Sequence, residues 1–202
     1  MIGNIIGIGG LIIAAIGLIW KILTTKRLEN TSDYKGIIGN MQIYNILQQI
    51  KKETSAQIVS LGSVSNGGGE IRAGMPLHMR LHFSTDQPTL ELYTEKVMLS
   101  GVLLKYYADV LKNNDTCFHT ELLESKLAKE WAAANAIKQT CMFYVGICVG
   151  ERIYILFINF GDEDHEIFSN KYLFVIQKVS EINKIIKNEN KWWKLKKKIV
   201  QD

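Results

Sequence analysis

Proline and cysteine are both scarce in this 202-residue chain, with two of the first and three of the second. So little proline, beside 16 glycines in no regular period, excludes a collagen-like or proline-rich rod. Three cysteines, an odd number without metal-ligand spacing, argue against a disulfide framework. Cys117, Cys141 and Cys148 are therefore expected as free thiols, with Cys117 and Cys141 packed as small apolar side chains rather than poised as nucleophiles. Charged residues make up only 22% against 47% hydrophobic, which excludes low-complexity disorder. Charge of either sign is missing before Lys21. From Lys21 to Ser180, 17 Lys and Arg balance 17 Asp and Glu. The whole net charge of +4 falls in residues 181–202, where seven lysines stand against Glu181, Glu189 and Asp202. The chain reads as an apolar head, a neutral middle and a basic tail, with room for one domain plus an accessory segment.

The head, MIGNIIGIGGLIIAAIGLIW, is long enough to cross a bilayer as a helix, since the hydrocarbon core needs about 20 apolar residues. Trp20 and Lys21 suit the interface that would follow it. A cleaved signal peptide would want a basic start and small residues at a cleavage point, and the run shows neither. An uncleaved anchor over residues 1–23 is the expectation. Lys21, Lys26 and Arg27 follow the span closely, and positive residues stay inside, so the bulk of the chain is expected on the cytoplasmic face of a cell inner membrane. Free thiols agree with a reducing compartment. Gly3, Gly7, Gly10, Ala14 and Gly17 form one stripe of small residues along the span. Such stripes let helix backbones approach in lipid, which points to a homo-oligomer formed through this helix.

Residues 24–36 are polar and read as a linker. A helix is expected next, with Ile37, Met41, Tyr44, Leu47 and Ile50 on its apolar face. Ala56–Val64 reads as a strand closed by Asn66, Gly67, Gly68 and Gly69. Strict alternation over Leu77–Phe83 predicts a half-exposed strand, with Leu77, Met79, Leu81 and Phe83 on one side and His78, Arg80 and His82 on the other. A helix is expected over 95–112, a short strand near 117–120, and a helix over 121–137. Met142–Val149 and Arg152–Phe160 are apolar runs separated by Gly150-Glu151, the pattern of a central hairpin covered on both faces. Residues 165–188 close the domain as a helix with Phe168, Tyr172, Val175, Val179, Ile182 and Ile186 in its stripe. The order is α+β: an antiparallel sheet with helices packed on its faces.

Within this order, Ala56–Glu70, with its Asn66-Gly67-Gly68-Gly69, and Ala73–Phe83 after it resemble the strand–Asn-Gly-Gly–strand segment of GAF/PAS-like domains in small membrane-anchored phage and bacterial proteins. The single-span plan is similar to that of T-even phage holins. The resemblance implies a GAF-like domain over 37–188, a cavity beside the sheet that takes a small molecule in some relatives, and otherwise a surface for a protein partner.

No constellation earns an enzyme class, and a fold implies no reaction by itself. Asn66–Gly69 could cradle an anion with backbone N–H groups, but it lacks the ending of a P-loop and the dinucleotide fingerprint. His78, Arg80 and His82 could bind an anion, or with His119 a metal, but no carboxylate or cysteine stands at a fitted spacing. A solvated strand face is the simpler reading, and no metal or cofactor is expected. Asp162–Glu166 reads as acidic capping at the start of the last helix. The tail, 189–202, interleaves Lys191, Lys194, Lys196, Lys197 and Lys198 with Trp192 and Trp193. Anionic lipid headgroups are the favoured partner of that pattern, at about 1 kcal/mol per lysine near the surface, and nucleic acid is the lesser reading. The leading expectation is a non-enzymatic, single-pass sensor or interaction module of phage or mobile-element origin. The alternatives are a holin-like lysis protein and a virion or assembly membrane protein.

Overall fold

The computed structural model describes residues 32–66, 76–86, 97–99, 101–124, 126–148, 152–162 and 169–199. Of two units, Met1–Asn40 and Met41–Asp202, the first is described only over 32–40, where it is helical. The expected span, with Gly3, Gly7, Gly10, Ala14, Gly17, Trp20, Lys21, Lys26 and Arg27, lies outside the described residues. Among the described residues no helix is long and apolar enough to cross a membrane.

The elements in order are α1 (Ser32–Thr54), β1 (Ile58–Ser65), β2 (His78–Ser84), β3 (Val97–Met98), α2 (Gly101–Asn113), β4 (Asp115–His119), a 3-10 turn (Thr120–Leu122), α3 (Lys126–Ala134), β5 (Gln139–Cys148), β6 (Arg152–Phe160) and α4 (Ser169–Ile199). The six strands form one sheet in the order β3-β2-β1-β6-β5-β4, every neighbour antiparallel. The expected hairpin of β5 and β6 lies inside the sheet between β1 and the edge strand β4, with Ile155–Phe160 buried, and only β6 is one of the two middle strands; its turn, 149–151, lies outside the described residues.

Alternation along the strands sends side chains to two cores. On one face Val59, Leu61, Phe143, Leu156, Ile158 and Phe160 meet Ile43, Leu47 and Ile50 of α1 and Val175, Val179, Ile182 and Ile186 of α4. The 4-3-4 spacing of that α4 stripe keeps it on one side of a 3.6-residue helix. On the other face Met142, Ile155 and Phe157 meet Tyr107 and Val110 of α2, with Phe118 and Leu123. Val145 is an extra residue opposite β6, a bulge that leaves Gly146 at φ +156° against α4. A Cβ there would stand 2.8 Å from Asn183 Oδ1, so glycine is what lets helix and strand close.

Several expectations need correction. Helix α1 starts at Ser32, inside the stretch read as linker, because its polar residues carry no proline to stop it. Its buried side is Ile43, Ile46, Leu47 and Ile50, while Ile37, Met41 and Tyr44 are exposed on a neighbouring stripe. Val97 belongs to β3, paired with Met79, and α2 begins only at Gly101, whose φ of +54° suits glycine. Phe83 faces the α1/α4 core, not the side of Met79 and Leu81. The cause is a bulge: Leu61 pairs with Phe83 but Gly62 with Leu81, which leaves His82 as the extra residue and reverses the alternation after it. Helix α3 ends at Ala134, earlier than expected, with Ala136 at φ +50°. Helix α4 begins after the acidic cluster and carries no acid in its first turn, so Asp162 does not cap it; Glu163–Glu166 lie outside the described residues. It continues to Ile199, so the basic tail over Lys191–Lys198 has helical backbone, and the structure describes no more of it than that.

The largest correction concerns the cysteines. Cys117 on β4 and Cys141 on β5 are direct cross-strand partners, with Cα atoms 4.0 Å apart, and they form a disulfide. Their 24-residue separation hid this, since only the β4–β5 register brings them together.

Candidate functional site: a cavity under helices α2 and α3

The second core is not completely filled. A cavity of about 100 Å³ lies between the sheet and the segment from α2 to α3. Strands supply its floor: Ser60 from β1, Met79 and Leu81 from β2, Thr140 and Met142 from β5, Phe157 and Asn159 from β6. Leu103 and Tyr107 of α2, Ala128 and Trp131 of α3, and Phe118 and Leu123 close it from above. Gly62 helps shape one side, since a Cβ there would stand 3.0 Å from both Leu81 Cδ2 and Phe157 Cε2.

The walls are apolar and the polar groups are few. Thr140 Oγ1 donates to Asn159 Oδ1 at 2.9 Å, and Asn159 Nδ2 donates to the Ile58 carbonyl at 3.3 Å. With the Asn159 amide oriented by those two bonds, Thr140 keeps its hydroxyl lone pairs and Asn159 a second N–H for another partner. Thr120 turns its hydroxyl away, to the Ile137 carbonyl at 2.8 Å. Tyr107 donates to Met79 Sδ at 2.6 Å, and full burial raises its phenol well above the ordinary value. It stays neutral and serves as wall, not as an acid or base. Apolar walls with a few convergent polar groups are the lining that small-molecule sites commonly have.

The residues expected to bind a ligand lie elsewhere. Asn66 follows β1, and Gly67, Gly68 and Gly69 lie outside the described residues. His78 and Arg80 pair with Ser65 and Ser63, on the α1/α4 side of the sheet, away from the cavity. His82 is on that side too and is not the solvated residue expected: Ser63 Oγ lies 2.7 Å from its Nε2, and its ring stacks on Tyr154 at 5.6 Å. Burial, with Arg80 and Arg152 nearby, lowers its pKa from 6.5 to about 4. His119 is on β4, four strands from β2, a separation of about 19 Å that prevents any metal shared with His78 or His82. Among the described residues no group of three or more ligating side chains could hold a metal ion.

Thr140, Asn159, Tyr107 and Trp131 escaped the sequence reading as site residues. One signal was available: Asn159 interrupts an apolar run, Ile153–Phe160, in a central strand, where a buried amide needs partners.

No family model and no curated protein matches the sequence. Solved structures do match in fold. The GAF domain of a two-component sensor histidine kinase from Bacillus halodurans aligns at 11% identity and a TM-score of 0.50, over 71% of this chain and 92% of that one. A GAF domain/HD domain protein from Geobacter sulfurreducens aligns at 10% and 0.52, over 71% and 88%. A far-red cyanobacteriochrome photoreceptor aligns at 10% and 0.54, over 89% and 98%. At these identities the likeness shows the fold alone. The domain has a GAF-like α+β fold.

Proposed function

We propose that this protein is a non-enzymatic sensor module, anchored by Met1–Trp20, whose GAF-like domain binds a small and largely apolar molecule. The observation that carries the reading is the partly open cavity, with apolar walls and one polar floor at Thr140 and Asn159. At about 100 Å³ it is smaller than the roughly 150 Å³ that admits benzene. The ligand is therefore a compact molecule with one hydrogen-bonding group, or one for which α2 and α3 move apart slightly. The fold of the sensor kinase domain and of the photoreceptor supports a sensory role by analogy. Self-association through the small-residue stripe and docking of the basic tail on anionic lipid complete the reading, with phage origin kept as part of it. Lys21, Lys26 and Arg27 support a cytoplasmic position for the domain; the argument from free thiols no longer applies.

The test uses the full chain in lipid nanodiscs, labelled at its methionine methyl groups, with xenon and benzene as probes. Signals of Met79 and Met142 should shift on titration while that of exposed Met41 stays. Ala128→Leu, which fills the cavity, should abolish the shift. Unmoved Met79 and Met142 signals at probe saturation overturn the reading. Expression in a bacterium with a membrane-potential readout tests the rest: tolerated accumulation supports an anchored module, and abrupt depolarisation supports a lysis protein instead.

A further inference from the structure

We propose that the Cys117–Cys141 pair is a reversible thiol-exchange site, opened at Cys117 by a dithiol reductant, that latches the edge strand closing the cavity. The inference deepens the sensor reading and rests on it. Its first support is asymmetry. Cys117 is exposed on the outermost strand, whereas Cys141 is fully buried in the α1/α4 core. An attacking thiolate can therefore reach only the Cys117 sulfur. Disulfides that occur in the cytoplasm are mostly transient or redox-sensing, which is the class this placement implies.

The second support is what β4 holds. It lies at one end of the sheet order and pairs with β5 alone, over five residues. Phe118 and Thr120, just beyond the disulfide, line the cavity. Phe118 also stacks on Tyr106 of α2 with ring centroids 4.1 Å apart. Asp115, at the start of the strand, lies beside Tyr172 of α4 and raises the pKa of its phenol. The latch therefore bears directly on the wall shared by strand, helix and cavity. Cys148, seven residues along β5 and about 23 Å away, cannot replace either partner without unpairing the strand.

The exchange balances as two displacements. A thiolate of the dithiol attacks Cys117 Sγ, the Cys117–Cys141 bond breaks, and Cys141 leaves as a thiolate that takes up a proton. The second thiol of the reductant then attacks the mixed disulfide and releases Cys117. The reductant departs as its own disulfide, having given two electrons to the pair. Oxidation is the reverse, with an oxidised dithiol as acceptor.

The experiment equilibrates the full chain in nanodiscs with defined ratios of reduced to oxidised dithiothreitol. Alkylation in a denaturing quench should count one free thiol, Cys148, from the oxidised protein and three from the reduced protein, reversibly, while the protein before quenching keeps its folded helix. Amides of Asp115–His119 should exchange about tenfold faster after reduction, while those of β1 and β6 hold their rates. Cys117→Ser should show the fast β4 exchange in both buffers and ignore the dithiol. Resistance of the native pair to reduction, unfolding of the whole domain on reduction, or β4 exchange independent of redox state overturns the latch. Xenon and benzene uptake separates the two ideas. If neither probe enters in either redox state, the cavity reading fails, while the β4 exchange still decides the latch.

Discussion

Thr140 and Asn159 face each other across the paired strands β5 and β6, and the Thr140 hydroxyl donates to the Asn159 amide oxygen 2.9 Å away. Both are buried, and Asn159 passes the connection on to the Ile58 carbonyl in β1. Three strands are thus cross-linked by polar groups at the floor of an otherwise apolar cavity. Buried polar groups carry a desolvation cost whenever they are left unpaired.

Thr140→Val keeps the shape and removes the donor. It should destabilise the domain by about 1–3 kcal/mol, because the Asn159 oxygen loses its partner in a buried place. Thr140→Val with Asn159→Leu should recover part of that loss. Denaturant unfolding of the three proteins measures it, and additive losses in the double variant would contradict the pairing.

Gly62→Ala tests the close approach of β1 to β2 and β6. The added methyl would stand 3.0 Å from Leu81 and Phe157 and 3.1 Å from the Arg80 carbonyl, so both side chains must give way. A loss of about 1–3 kcal/mol is expected from overpacking, together with weaker shifts of Met79 on xenon titration. An unchanged unfolding midpoint would show that the site has more room than its geometry allows.

His82 makes stability depend on acidity. Its folded pKa of about 4 lies below the unfolded value of 6.5, so between those two values the unfolded chain binds more protons. Stability should therefore be full above pH 6.5 and fall as the pH drops toward 4. The size is roughly 2 kcal/mol after allowing for the solvent that still reaches the ring. His82→Phe, which keeps the stacking surface on Tyr154, should lose this component. Parallel pH profiles for the two proteins would remove His82 as the cause.

In the proposed anchor, Gly10→Ile should weaken crosslinked oligomers in membranes by placing a bulky side chain on the small-residue stripe. Ile12→Leu, off the stripe, should leave them unchanged. Equal effects would remove the stripe as an interface.

How much could be read from the residues depended on whether a feature was local. The α4 stripe of Val175, Val179, Ile182 and Ile186 and the hairpin runs ending in Cys148 and beginning at Arg152 follow from period alone, and both were legible. The bulge at His82 was not, because it arises from pairing with Gly62 and nothing within Leu77–Phe83 announces it. The disulfide escaped for the same reason, as did the cavity, whose walls come from five strands, two helices and a turn. The strand histidines drew attention as rare polar residues on an alternating pattern, whereas the polar pair that lines a cavity sat inside runs that looked purely structural.

The sheet is one layer thick, and consecutive residues of β6 serve opposite sides of it. Phe157 borders the cavity, while its neighbours Leu156 and Ile158 press into the core formed with α1 and α4. Those two helices are the first and last elements of the described chain. A guest that crowds Phe157 therefore pushes on a diaphragm whose far surface carries both ends of the domain. Occupancy and whatever joins those ends are separated by a single strand's thickness, which is the shortest mechanical path this architecture offers.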